Sequence, residues 1–194
     1  KGVAVTPDGS LLQRYHQPFN LQLPMAFALA ADQIHHKASA ELGNPAGIGV
    51  SAPGIASISG RFIDFMPGRF EGLEKLDWGN RFQRPEGVPV LNDAHAALLG
   101  EVWCGAARNT QDVILLTLGT GVGGAILSEG RLLRGHAGKG GHLGHMSLDP
   151  EGAPDICNAP GSLESAIGNL NISERSGGRF KTTLEMIHAF EQGD

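Results

Sequence analysis

An α/β protein in two parts is what this sequence predicts, and three observations predict it. Short apolar runs that read as strands recur among longer stretches with helical periodicity. A polar linker, Asn109-Thr-Gln-Asp112, divides the chain into residues 1–109 and 110–194. A glycine-dense turn, Gly119-Thr-Gly-Val-Gly-Gly124, joins the apolar run Val113-Ile-Leu-Leu-Thr-Leu118 to a second, Ala125-Ile-Leu-Ser128.

The first part opens with a hairpin. Residues 2–5 and 11–15 read as its strands, and Thr6-Pro-Asp-Gly-Ser10 supplies the turn chemistry. A lone hairpin is marginally stable, so this one should edge a larger sheet. A helix is expected over 24–42: Pro24 suits a first turn, Phe27, Ala31, Ile34, Ala38 and Leu42 recur at helical spacing, and Gly43-Asn-Pro45 ends it. His35 and His36 fall on its solvated face. Residues 47–50 read as a buried strand before the sharp turn Ser51-Ala-Pro-Gly54, and 58–65 as a further hairpin arm. Residues 66–87 read as loop with a short helix at 78–82. A strand at 88–91 and a helix at 93–108 close the part, with Ala97, Val102 and Cys104 turned to the sheet and Cys104 read as a buried small hydrophobe. Trp78 and Trp103 read as core or interface anchors.

In the second part, strands at 113–118, 123–128 and 131–134 joined by tight glycine turns suggest an antiparallel meander. Ser162 is a candidate N-cap for a helix at 163–170, and Thr182-Thr-Leu-Glu185 fits a capping box before a last helix, 183–192.

Composition narrows the function classes. Hydrophobic residues make up 41% and charged residues 18% of the 194, which describes a soluble globular protein. A net charge of −5 argues against a nucleic-acid surface, which needs clustered Lys and Arg. No apolar run is long enough for a membrane span, no signal peptide is visible, and two cysteines make no disulfide framework, so a cytoplasmic protein is expected.

The chemistry concentrates at two places. Glycines in the 119–124 turn leave backbone N–H groups that no Cβ shields, and such groups can point at phosphate oxygens; the bland alternative is a plain hairpin turn. Upstream, Val90-Leu-Asn-Asp93 is an apolar run ending in one carboxylate. An Asp there can act as a base toward an attacking hydroxyl, and it suits a helix N-cap equally well. Three histidines, His136, His142 and His145, sit in one glycine-rich loop and raise the question of zinc.

Four blocks then resemble, in order and spacing, the signatures of the ROK family of sugar kinases and sugar-responsive repressors: Leu91-Asn-Asp-Ala94, Leu118-Gly-Thr-Gly-Val-Gly-Gly124, Gly141-His-Leu-Gly-His145 and Cys157-Asn-Ala-Pro-Gly-Ser-Leu-Glu164. The resemblance implies an actin-like, ribonuclease-H-like fold of two α/β lobes with the active site in the cleft between them. It also implies that this chain is an internal portion of a longer kinase, since the family's first phosphate turn and the end of its C-terminal lobe have no counterpart here. By the same resemblance Asp93 aligns with the catalytic base. Asn92, His145, Glu164 and Gly54 align with sugar contacts, and Gly119, Thr120, Gly121 and Gly123 with the phosphate turn for ATP and Mg²⁺.

The sequence departs from the family pattern at two points. His142 stands where the family has a sugar-binding glutamate, which puts the sugar's identity in question more than the reaction. The family's three zinc-binding cysteines read Asp155, Cys157 and Ser162 here. One soft ligand of three survives, so no tight structural zinc is expected, although Asp155, Cys157 and His145, with His142 as a stand-in, could hold a weaker metal. The expected activity is ATP-dependent phosphorylation of a hexose or N-acetylhexosamine. The alternatives are a non-catalytic sugar sensor of the repressor type and a kinase that uses polyphosphate as donor. Expected partners are a sugar and a nucleotide, with no nucleic acid or membrane, and the resemblance suggests a homodimer or higher oligomer.

Overall fold

The computed structural model describes every residue except Pro67, Arg69 and Asp194. Pro67 and Arg69 fall in the segment read as loop and Asp194 ends the second predicted part, so those three positions lie outside the described residues. The chain divides into two compact units, Lys1–Asn109 with His136–Gly138, and Thr110–Gly135 with Lys139–Asp194.

In the first unit, β1 (Gly2–Val5) and β2 (Leu11–Tyr15) form the expected antiparallel hairpin. The turn is closed by Thr6 N–H donating to the Ser10 carbonyl at 3.0 Å. Among the described residues the hairpin is a sheet by itself, not the edge of a larger one. The helix α1 runs Ala26–Leu42 and starts later than Pro24 suggested, because Met25 takes a left-handed conformation (φ 57°) that breaks the helical path. Its Asp32 carboxylate receives the Arg81 guanidinium in a two-point ion pair of 2.8 and 2.5 Å. His35 is half-buried against the Phe82 ring rather than free in solvent, with centroids 4.9 Å apart.

The site-bearing sheet of this unit is small. β3 (Val50–Ala52) and β6 (Val90–Asn92) pair in parallel, with Ala52 opposite Asn92. Both strands begin later than the apolar runs implied, and β3 takes two residues, Ser51 and Ala52, expected in the turn. β4 (Ile55–Ala56) pairs antiparallel with β5 (Ile63–Phe65). The short helix α2 (Trp78–Arg81) is capped by the Asp77 carboxylate, which accepts from Asn80 N–H at 3.1 Å. Ile63, Leu73, Trp78, Val88 and Val90 fill the core with Ala28 of α1. β6 leads directly into α3 (Asp93–Cys104). The buried stripe of α3 is Ala94, His95 and Leu98. Ala97 and Cys104 are exposed instead, because the helix phase set by the first turn turns them outward. Trp103 is 45% exposed, and α3 stops at Gly105 where the sequence had suggested four further residues of helix, through Arg108.

The second unit is built on the expected antiparallel meander of β7 (Val113–Leu118), β8 (Val122–Ser128) and β9 (Arg131–Leu132). A 3₁₀ turn, Leu143–His145, lies against β8. That approach needs glycine on both sides: a Cβ on Gly124 would come within 2.6 Å of the Gly141 carbonyl, and one on Gly144 would run into the Val122 carbonyl. The single helix expected at 163–170 is two, α4 (Leu163–Ile167) and α5 (Asn169–Arg175). Gly168 between them is extended (φ −70°, ψ 149°), which interrupts the helical ladder. Ser162 caps α4 as expected, accepting from Ser165 N–H at 3.2 Å. Thr182 likewise caps α6 (Thr183–Glu191) by accepting from Glu185 N–H. Among the described residues no helix is long and apolar enough to cross a membrane.

Candidate functional site

The two motif regions are best built separately. In the first unit the parallel β3–β6 pair ends at Asn92, and α3 starts on the next residue. Asn92 is the N-cap: its extended backbone (φ −59°, ψ 148°) turns the side-chain oxygen onto the amides of Ala94 and His95, at 2.9 and 3.3 Å. Its amide nitrogen donates to the Gly54 carbonyl at 3.0 Å. Asn92 therefore ties the helix start to the loop after β3, and it is buried in doing so. Gly54 itself sits at φ +100°, and a Cβ there would meet the Phe65 carbonyl at 2.7 Å. Packing against β5 already demands glycine at this position. Asp93 is the first residue of α3, exposed, with one carboxylate oxygen 2.9 Å from the amide of Ala94.

In the second unit the turn between β7 and β8 is held on three sides. The Glu164 carboxylate of α4 accepts from Val122 N–H at 3.0 Å, across 42 residues of sequence. It also lies against Gly121, so any side chain there would collide with it. The Gly119 and Thr120 carbonyls accept from Asn169 and Leu170 at the start of α5, at 3.0 and 3.2 Å. These bonds explain the break at Gly168: the first amides of α5, which a helix leaves unsatisfied, find their acceptors in the turn. Gly119 N–H donates to the Gly121 carbonyl. A Cβ on Gly119 would meet nothing within 4 Å, so the space beside it is open. Thr120 is exposed at the tip.

Beyond β9 the chain reaches the histidine loop. His142, half-buried, opens the 3₁₀ turn, and His145 closes it. His145 Nδ1 lies 2.8 Å from an Asp155 oxygen and Nε2 lies 3.5 Å from the Cys157 sulfur. The donor atoms of His145, Asp155 and Cys157 all lie within 4.8 Å of one another, which is the grouping a metal would require. Burial by itself would raise the Asp155 carboxyl. Hydrogen bonds from His145, then from Ser162 and the Ala159 and Cys157 amides, outweigh that and hold it down to about 2. Burial, then the charges of Asp155 and Glu164, push the Cys157 thiol above its ordinary value.

The chemistry of this set does not fit a structural zinc. Such a site takes four ligands, mostly soft sulfur. Here one thiol, one carboxylate and one imidazole are grouped, and the Ser162 hydroxyl, fully buried, is engaged as the α4 cap.

The linear sequence pointed to Asp93, Asn92 and the glycine turn, and the structure gives Asn92 and Gly54 a direct bond. It groups His145, Asp155 and Cys157, and it places Glu164 on the glycine turn through the Val122 amide. That last tie left no local signal, because its two ends are far apart in sequence. The hydrogen-bonded Asp155 turn did leave one, in the Asp-Ile-Cys-Asn-Ala-Pro-Gly composition of a tight loop.

Known proteins carry the same pattern. Residues 8–194 match the family described as the ROK family. A glucokinase of Halalkalibacterium halodurans is 33% identical over 87% of this chain and 53% of its own. A ROK hexokinase from Thermus thermophilus superposes with a TM-score of 0.74 at 30% identity, covering 96% of this chain and 64% of its own. A ROK family glucokinase from Streptomyces griseus, solved with glucose and AMPPNP, gives a TM-score of 0.70 at 25% identity, covering 90% of this chain and 57% of its own. The chain thus spans about half the length of the Halalkalibacterium relative.

Proposed function

We propose, from the premise that this chain belongs to the ROK family and has its actin-like fold, that the protein transfers a phosphoryl group to a hydroxyl of a hexose or N-acetylhexosamine. One observation carries the assignment of the base. Asn92 supplies the N-cap of α3, while Asp93, exposed, accepts from Ala94 N–H with one oxygen; a carboxylate has about four acceptor positions, so that bond leaves room for an attacking hydroxyl. Asp93 accepts the proton of the attacking hydroxyl, an effect worth roughly 10²- to 10⁴-fold in rate.

The open space beside Gly119 and the amides of Thr120 and Gly121 fit the phosphates of a nucleotide, with Gly123, the second residue of β8, adding no side chain. The Thr120 hydroxyl adds a further donor. ATP supplies the phosphoryl group when bound, and its magnesium ion offsets the charge of the phosphates. In the first unit Asn92 and Gly54, and in the second His142, His145 and Glu164, are the residues offered to sugar hydroxyls. Residues 1–109 and 110–194 correspond to the two lobes of the family fold. Two free cysteines suit a reducing, cytoplasmic setting, and a homodimer fits the family pattern.

The test is Asp93→Asn, made in the complete protein. Turnover with glucose, mannose or N-acetylmannosamine should fall at least about 100-fold, while sugar affinity by calorimetry changes less than about threefold. Unchanged turnover would remove Asp93 from the reaction. Sugar binding with no turnover in the unmutated protein would favour a sensor.

A further inference from the structure

We propose that Asp155 takes the place of a structural metal in this protein: its carboxylate closes the loop 146–162 and fixes His145 in one tautomer. This goes beyond the kinase reading and stands or falls separately from it.

The geometry of the carboxylate carries the inference. The Asp155 side chain is 3% exposed. One oxygen accepts from the amides of Cys157 and Ala159 at 2.8 and 3.0 Å. The other faces His145 Nδ1 at 2.8 Å, and the Ser162 hydroxyl also bears on the group. A carboxylate offers about four acceptor positions, and here two backbone amides and the imidazole converge on it. A cation bound by this carboxylate would have to displace donors already in place.

The rest of the loop is closed by its own backbone. Met146 accepts from Leu163, Gly161 from Leu148 and Asp149, Ala153 from Gly161, and Ala159 from Asp155. These nested bonds tie the two sides of the loop together. A Cβ on Gly161 would run into the Asp149 carbonyl, so the two sides already meet at backbone contact.

The consequence for His145 follows from the acceptor-only character of a carboxylate. Facing Asp155, Nδ1 must carry the hydrogen, which leaves Nε2 of the neutral ring as an acceptor. The Cys157 thiol, 3.5 Å from Nε2, is placed as its donor. A metal on Nδ1 would impose the opposite arrangement, with hydrogen on Nε2, whereas a metal on Nε2 would keep hydrogen on Nδ1, so zinc content and chelation separate that case. Asp155 is thus a positioning residue for His145.

The test reads metal content, stability and tautomer, not turnover, in the complete protein. Purified protein should contain well under one zinc per chain by elemental analysis, and exhaustive chelation should leave its unfolding midpoint unchanged within about 1 °C. The nitrogen chemical shifts of His145 should report Nδ1–H. Asp155→Asn, which keeps the shape but loses the charge, should lower the midpoint by roughly 2–10 °C, as expected for one compromised buried hydrogen-bond cluster, and should alter the His145 shifts. One tightly held zinc per chain, a midpoint that drops on chelation, or an Asp155→Asn protein with unaltered midpoint and His145 shifts would each overturn the proposal. If Asp155→Asn fails to fold, the zinc and chelation measurements on the unmutated protein decide it.

Discussion

Asn92 anchors its side chain to the backbone: the oxygen accepts from two amides of α3 and one amide hydrogen goes to the Gly54 carbonyl, which leaves the second hydrogen for a ligand. Replacing it by Asp keeps the cap but sets a buried carboxylate oxygen against the Gly54 carbonyl, whereas Ala loses cap and tie without that repulsion. Asn92→Ala should therefore cost about 1–3 kcal/mol, and Asn92→Asp no less, as read from denaturant midpoints. The neighbouring carboxylates differ in kind. Asp93 was legible in the sequence as a candidate base, but not the division of labour with Asn92, because Asp and Asn cap helices equally well and only the backbone angles at Asn92 decide. Asp155 carries a pH signature. Its folded value, about 2, lies below its ordinary value of 3.8. Its contribution is therefore present above about pH 4 and is lost as the pH falls through 2, amounting to about 2 kcal/mol over that window. Acid titration of stability should show this loss in the unmutated protein and a flatter curve in Asp155→Asn.

At the level of elements, the packing of the 3₁₀ turn on β8 tolerates no added atom. Gly144→Ala would force a methyl group into the Val122 carbonyl. The expected outcome is a loss of at least about 3 kcal/mol, seen as insoluble or thermally fragile protein. The meander, the hairpin and the caps at Ser162 and Thr182 were legible because each rests on short-range chemistry: alternation, Gly turns and hydroxyl caps. Element ends were less so. β3 and β6 each begin later than their apolar runs, since pairing and not hydrophobicity sets where a ladder starts. The break at Gly168 was hidden for a similar reason. The acceptors that make it favourable, Gly119 and Thr120, lie in a different hairpin.

Over the whole molecule, the division into two units follows the linker at Asn109, with His136–Gly138 joining the first unit. That excursion had no local mark, because it is created by packing: a Cβ on Gly138 would meet the Ala56 carbonyl at 2.6 Å. Apolar surface left in water is the other global property. Ile114 is 69% exposed, Ile156 82%, Phe190 76% and Leu184 61%. The 194-residue chain by itself should therefore self-associate as its concentration rises. Light scattering should give a mass above 20.3 kDa that falls toward it on dilution, and Ile114→Thr should weaken the effect.

The three bonds that reach the 118–122 turn from α4 and α5 have a mechanical meaning. Glu164, Asn169 and Leu170 grip the hairpin tip at Val122, Gly119 and Thr120. The tip cannot flap on its own. A push on those two short helices is delivered to it as to the end of a lever, so the stiffness of the helix pair sets how firmly the tip can grasp anything placed there.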